Sequence, residues 1–181
     1  MASTLFVFAD WPGSSTMQSD AEHEALYVAA DNEIENGGDD KHAFRILLDL
    51  ANRGYLPAMC YVGVLYCGGI GTPENKKLAI GWWRKAAAKG DGTSMLNLGT
   101  EYRDVLGNFR QARHWLLKAA RSGDASAYLE LARLWYGRDR FRHRDRIARY
   151  LDEALDKHRL GQCYLSEDER ESAELLRAEF K

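Results

Sequence analysis

The sequence has little that breaks a helix. Its three prolines, at positions 12, 57 and 73, leave residues 74–181 without one. Proline inside a helix costs about 3 kcal/mol, so that stretch is free to run as helix from end to end. Runs that alternate apolar and polar residues at period two are few, and almost no sheet is expected. Cysteines also number three, an odd count without framework spacing, which suits a reducing compartment. Long apolar runs are missing. Leu5-Phe6-Val7-Phe8-Ala9 is short, lacks a basic lead-in and meets Asp10-Trp11-Pro12-Gly13 at once. A secretory signal needs a charged start and a longer apolar core, and a membrane-spanning helix needs about 20 apolar residues. The segment reads as a tail packed on the first helices of a cytoplasmic protein, with no membrane contact.

Catalytic patterns are equally scarce. Cys60 and Cys67 lie seven apart on one expected helix, but a metal site wants four ligands, or three and a water. No second cysteine pair or histidine stands near them, so they read as core residues. His23, His42, His114, His143 and His158 form no His-x-x-x-His pair. Gly68-Gly69-Ile70-Gly71 follows no strand and precedes no Gly-Lys-Ser/Thr, and no Gly-x-Ser-x-Gly elbow occurs. No catalytic residue, cofactor or metal is expected, and the protein reads as non-enzymatic.

What the chain does have is a repeated phrase. Ala79-…-Trp82-…-Lys85-Ala86-Ala87-…-Gly90 returns as Ala112-…-Trp115-…-Lys118-Ala119-Ala120-…-Gly123. A looser copy stands upstream as Ala43-…-Ile46-…-Leu50-Ala51-…-Gly54, and the lead alanines are 36 and 33 residues apart. Between the phrases a second motif recurs: Gly63-…-Tyr66, Gly99-…-Tyr102 and a drifted Ala132-…-Trp135. This period marks stacked helical hairpins, in which no hairpin can bury its apolar face alone. Small residues belong where two helix backbones approach closely, and Tyr66, Trp82, Tyr102 and Trp115 should supply the buried bulk. Gly54, Gly90 and Gly123 read as helix stops, and Asp91 and Asp124 as starts of the next helix. The fold class is all-α, a right-handed α/α superhelical solenoid of four antiparallel hairpins and a final helix. Helices are expected near 20–35, 40–53, 57–68, 76–89, 92–104, 108–122, 125–137, 143–158 and 166–179, after a tail over 1–19.

The motifs Gly63-Val64-Leu65-Tyr66-Cys67-Gly68-Gly69-Ile70-Gly71, Asn75, Ala79, Trp82-Trp83, Lys85-Ala86-Ala87 and Gly90 resemble the Sel-one-like repeat, a relative of the tetratricopeptide repeat. The resemblance covers residues 43–123 and is degenerate over 124–157. There Arg138 and Arg140 replace the turn glycines, and Ala154-Leu155-Asp156 replaces the Ala-Ala pair. It implies one repeat domain, with 20–42 as an N-terminal capping region, repeats over 43–157 and a capping helix within 158–181. It also implies a role without chemistry: members act as adaptors, assembly factors and, in some bacterial systems, immunity proteins that bind a toxin. The expected function is therefore a bacterial immunity protein neutralising a cognate toxin or effector, most simply as a monomer. The alternative is a cytosolic adaptor or assembly scaffold joining other proteins.

Charge narrows where a partner would dock. Residues 1–50 hold 10 acids and 2 bases, a net of −8, whereas residues 51–181 carry a net of +6. Glu22, Glu24, Asp31, Glu33 and Glu35 form an acidic patch at one end, and Arg138, Arg140, Arg142, Arg144 and Arg146 a basic patch at the other. Such ends can steer a charged partner. The basic segment Arg138–Arg149, with Phe141 among its arginines, makes nucleic acid a remote alternative. Asp139 and Asp145 interrupt it, the whole chain is acidic, and no nucleic-acid fold signature occurs.

Aligning the Gly-x-x-Tyr helices separates kept columns from changing ones. Ala58/Ser94/Ala127, Met59/Met95/Tyr128 and Gly63/Gly99/Ala132 keep their type and should face the core. Tyr61/Asn97/Glu130, Val64/Thr100/Arg133 and Leu65/Glu101/Leu134 change freely, and their offsets of three and four place them on one helical face. The resemblance implies that this helix lines a concave surface. Tyr61, Val64, Asn97, Thr100, Glu101, Glu130 and Arg133 are thus the expected partner-binding groove, with Tyr61 and Arg133 as anchors.

Overall fold

The computed structural model describes residues 14–162 and 164–180, with side chains from residue 20 onward; residues 1–13 of the expected 1–19 tail lie outside the described residues. Nine α-helices follow one another among the described residues: α1 (Ser14–Glu35), α2 (Asp40–Asn52), α3 (Leu56–Gly68), α4 (Lys76–Ala88), α5 (Gly92–Asp104), α6 (Phe109–Arg121), α7 (Ser126–Asp139), α8 (Arg144–Arg159) and α9 (Glu167–Ala178). No strand occurs among these residues. The expected bounds hold to within two residues except at the start of α1, which lies at Ser14 rather than near 20. Pro12-Gly13 is the nearest upstream breaker, and nothing between it and residue 20 opposes helix.

The chain divides into two compact units, one ending at Asn75 and one comprising Lys76–Lys181. In the first, α1 packs on α2 and α2 on α3; in the second, α4 to α9 pack each on the next. Turn chemistry sets these reversals. Gly54, Gly90 and Gly123 take φ of 91°, 97° and 100°, the left-handed region in which a helix is readily stopped. Asp91 then accepts the Ser94 N–H at 2.6 Å, and Asp124 that of Ala127 at 3.3 Å, satisfying donors at the starts of α5 and α7.

The kept columns do face inward. Ala58, Ser94 and Ala127 are each fully buried, as are the repeat alanines Ala79, Ala86, Ala112 and Ala119. Tyr128 alone of these columns' bulky members is half-buried. At Gly99 the approach of α5 to α6 leaves no room for a side chain: a Cβ there would stand 2.5 Å from Leu116 Cγ. Gly99→Ala should therefore destabilise by about 1–3 kcal/mol through overpacking. Gly81 in α4 is the internal contrast, because a Cβ there meets nothing within 4 Å. Gly81→Ala should stabilise by about 0.5–1 kcal/mol by removing a helix-interior glycine. Urea titration of the two variants reads opposite signs from the same chemical change.

The aromatic expectation holds in part. Trp82 and Tyr102 are 9% and 7% exposed, whereas Tyr66 and Trp115 are only half-buried. Tyr66 leans edge-on against Phe44, with centroids 5.2 Å apart. Trp115 is covered on one face by Lys118, whose ammonium lies 4.9 Å from the ring centroid. Trp82 and Lys85 repeat that pairing at 4.1 Å. The recurring Trp-x-x-Lys spacing thus builds a cation–π pair one helical turn long, worth about 0.5–1 kcal/mol where exposed.

Candidate protein-binding faces

The first unit gathers two patches that the sequence separates. Along α1, Glu24, Tyr27 and Asp31 recur at helical spacing, and α3 with its preceding residue supplies Tyr61 and Tyr55. Three tyrosine rings line up: Tyr27 lies 5.8 Å from Tyr55 and 6.0 Å from Tyr61, edge-on to both. Each end of the row is closed by a carboxylate. The Tyr55 hydroxyl donates to Glu24, and the Tyr61 hydroxyl to Asp31. Burial, then the bond to Glu24, pushes the Tyr55 phenol up to about 12. Burial, followed by Asp31, also raises Tyr61 and Tyr27, so all three phenols remain protonated donors at neutral pH.

The rest of the acidic patch behaves differently. Glu33 bonds His42 Nδ1 at 2.9 Å, while Glu22 and Glu35 are exposed and Asp31 is half-buried. Val64, one turn beyond Tyr61 on α3, is 37% exposed. The result is a half-buried aromatic row edged with carboxylates and flanked by an exposed aliphatic side chain. Such a surface can receive cationic side chains, whose charge is attracted to both ring faces and carboxylates.

The remaining groove positions lie in the second unit, where the structure corrects part of the expectation. The Leu65/Glu101/Leu134 column varies yet is buried throughout, with Glu101 at 7% exposure. Glu130 is also buried, at 8%, because it bridges two arginines: Arg103 of α5 and Arg133 of its own helix, the latter at 2.6 Å. Arg133 extends the network to the Ser172 hydroxyl of α9 at 2.9 Å, and Arg103 grips Asp104 through two bonds of 2.6 and 2.9 Å. That bidentate bond, with Glu130, raises Arg103 above its ordinary value against the opposing effect of burial. Asp104 is lowered by the same bond. Asn97 and Thr100 are half-buried, the Thr100 hydroxyl donating to the Asn97 carbonyl at 3.0 Å.

The basic segment is organised by aromatic stacking, which charge counting misses. Arg138 lies 4.6 Å over Phe109, Arg146 4.2 Å over Trp135, and Arg140 4.9 Å over Phe141. Arg144 donates to the Phe180 carbonyl at 3.2 Å, whereas Arg142 is exposed. Phe141 is 80% exposed. Arg138, Arg140 and Arg146 are thus each positioned by a neighbouring ring.

Cys60 and Cys67 are half-buried on α3. Among the described residues no three His, Cys, Asp or Glu side chains gather as metal ligands, and no helix is long and apolar enough to cross a membrane. Tyr27, Tyr55, Arg103 and Phe109 are the residues that sequence reasoning missed. The Glu24/Tyr27/Asp31 spacing carried a signal for the first. Nothing local marked Arg103, whose importance comes from contacts across 27 residues of chain.

Repeated helical hairpins with polar-edged faces define a helical-repeat protein. The Sel1 repeat model matches residues 56–91 and 92–124, so these two consecutive stretches are similar to Sel1 repeats. A Sel1 repeat protein from Oxalobacter formigenes is similar in fold, with TM-score 0.64 and 19% identity over 87% of this chain and 72% of that one. The protective antigen c5321 of uropathogenic Escherichia coli, which displays an SLR fold, gives TM-score 0.62 and 20% identity. That match covers 89% of this chain, which spans 39% of the larger one. An immunity protein from Pseudomonas aeruginosa gives TM-score 0.43 at 15% identity over 88% of this chain and 82% of that one, too loose a likeness to argue from. No curated protein sequence matches significantly.

Proposed function

We propose that this protein is a non-enzymatic, cytoplasmic protein-binding module whose first unit docks a basic surface of a partner on the Tyr55–Tyr27–Tyr61 row. The observation that carries this reading is the convergence of Tyr61 with Glu24 and Asp31 on one face. Tyrosines supply large contact area at low entropic cost, and the carboxylates fix charge complementarity. In the finer form of the proposal the partner is a toxin or effector, and the protein neutralises it as an immunity protein. A basic effector suits the net charge of −8 over residues 1–50.

An adaptor role is the second reading, favoured by opposite charge on the two units: an acid–tyrosine face on the first and an arginine-rich segment on the second. The test is a Tyr61→Ala, Glu24→Gln, Asp31→Asn variant, compared with the parent for helicity and for capture of the partner from the native organism. The variant is expected to fold and to lose at least about tenfold in affinity, the scale of a hot-spot cluster. Full capture by a folded variant would contradict the assignment. Growth arrest by the captured partner, relieved by co-expression of this protein, supports immunity; two different partners held at once support the adaptor.

A further inference from the structure

The second unit holds a depression of about 290 Å³ lined by Arg103, Gly107, Phe109, Arg133, Leu134, Gly137 and Arg138. Two of its three guanidiniums are held in place: Arg103 by Asp104 and Glu130, and Arg133 by Glu130 and Ser172. The third is different. Arg138 is exposed and held over the Phe109 ring at 4.6 Å, and among the described residues it meets no hydrogen-bond acceptor. Phe109 is fixed in turn, edge-on to the Trp135 ring at 4.8 Å. Stacking engages only the face of a guanidinium, so the in-plane N–H donors of Arg138 stay available. The glycines keep the wall open, since a Cβ at Gly107 or Gly137 would meet nothing within 4 Å.

We propose that this depression receives an aspartate or glutamate side chain from an acidic segment of a protein partner. Three arginines against Glu130 and Asp104 leave a formal charge of about +1, the complement of one carboxylate. A dianionic phosphate would exceed that charge and stand beside two carboxylates. The planar N–H edge of Arg138 matches a carboxylate in two parallel bonds. The volume admits an acidic side chain with part of its flanking backbone. This is a second docking point, separate in chemistry from the acid–tyrosine face. It rests on the protein-binding reading only for the source of the carboxylate.

The test uses a defined probe: a fluorescent peptide of alternating Glu and Asp flanked by glycines, titrated by anisotropy. Its controls are the Gln/Asn twin and a phosphoserine version of the same length. The acidic peptide is expected to bind at least tenfold more tightly than its amide twin. Arg138→Gln should weaken it about tenfold, as should Gly137→Glu, which plants a competing carboxylate on the wall at an open helical position. Arg121→Gln removes the same charge from the exposed surface of α6 and should change affinity less than about twofold. Equal losses for Arg121→Gln and Arg138→Gln, no binding up to about 1 mM, or equal binding of the twin would overturn the proposal. Tighter binding of the phosphopeptide would overturn the carboxylate assignment. Since the peptide is read without the native partner, failure here and failure of the first-unit reading are separate results.

Discussion

Replacing Trp82 with alanine is expected to lower stability by about 3–5 kcal/mol, read as a fall in the urea midpoint at nearly unchanged slope. The indole is 9% exposed in α4, where the buried positions one turn away are the small Ala79, Ala86 and the neighbouring Ala87, with Trp83 the other buried ring. The alanines a turn away cannot reach into the void, so transfer and cavity terms both count. The lost Lys85 stacking adds a smaller amount. A loss under about 1 kcal/mol would mean that Trp82 does not supply the bulk of its repeat.

A methyl group at Gly71 should be nearly as damaging. Its φ of 66° lies in the left-handed region, and an added Cβ would come within 2.1 Å of the Asp40 carbonyl oxygen and 2.8 Å of Phe44 Cβ. The obstacle is backbone at the first turn of α2, which cannot swing aside as a side-chain end can. Strain and overpacking together set an expected cost of about 2–5 kcal/mol for Gly71→Ala. Thermal melting of the variant gives the check, and a parent-like transition would mean the turn relaxes freely.

Fold and site were legible to different depths, for a physical reason. Helix positions follow from local chemistry, namely Gly54, Gly90 and Gly123 as stops, Asp91 and Asp124 as starts, and repeat intervals of 36 and 33 residues, so α2 to α9 could be placed within two residues. Within-chain variation was a poorer guide to exposure. It marked Tyr61, Val64, Asn97, Thr100 and Arg133 as groove positions, and of these Val64 is exposed and the others half-buried. It failed at Glu101 and Glu130, because a changing residue can also be a buried one. Glu130 owes its place to Arg103 in the preceding repeat, and no periodicity encodes that pairing. Charge counting found the arginine segment but not the rings that hold it, since Phe109 and Trp135 lie outside any run of bases.

Docking of a protein partner on the acid–tyrosine face of the first unit is the proposal on which the functional reading stands. Hydroxyl-radical footprinting of the complex with the captured partner tests it most directly, because the oxidation of each tyrosine ring reports its own solvent access. Strong protection of Tyr27, Tyr55 and Tyr61 is expected on binding, with the exposed Tyr164 unchanged as an internal reference. Unaltered oxidation of all three rings in a saturated complex would contradict it.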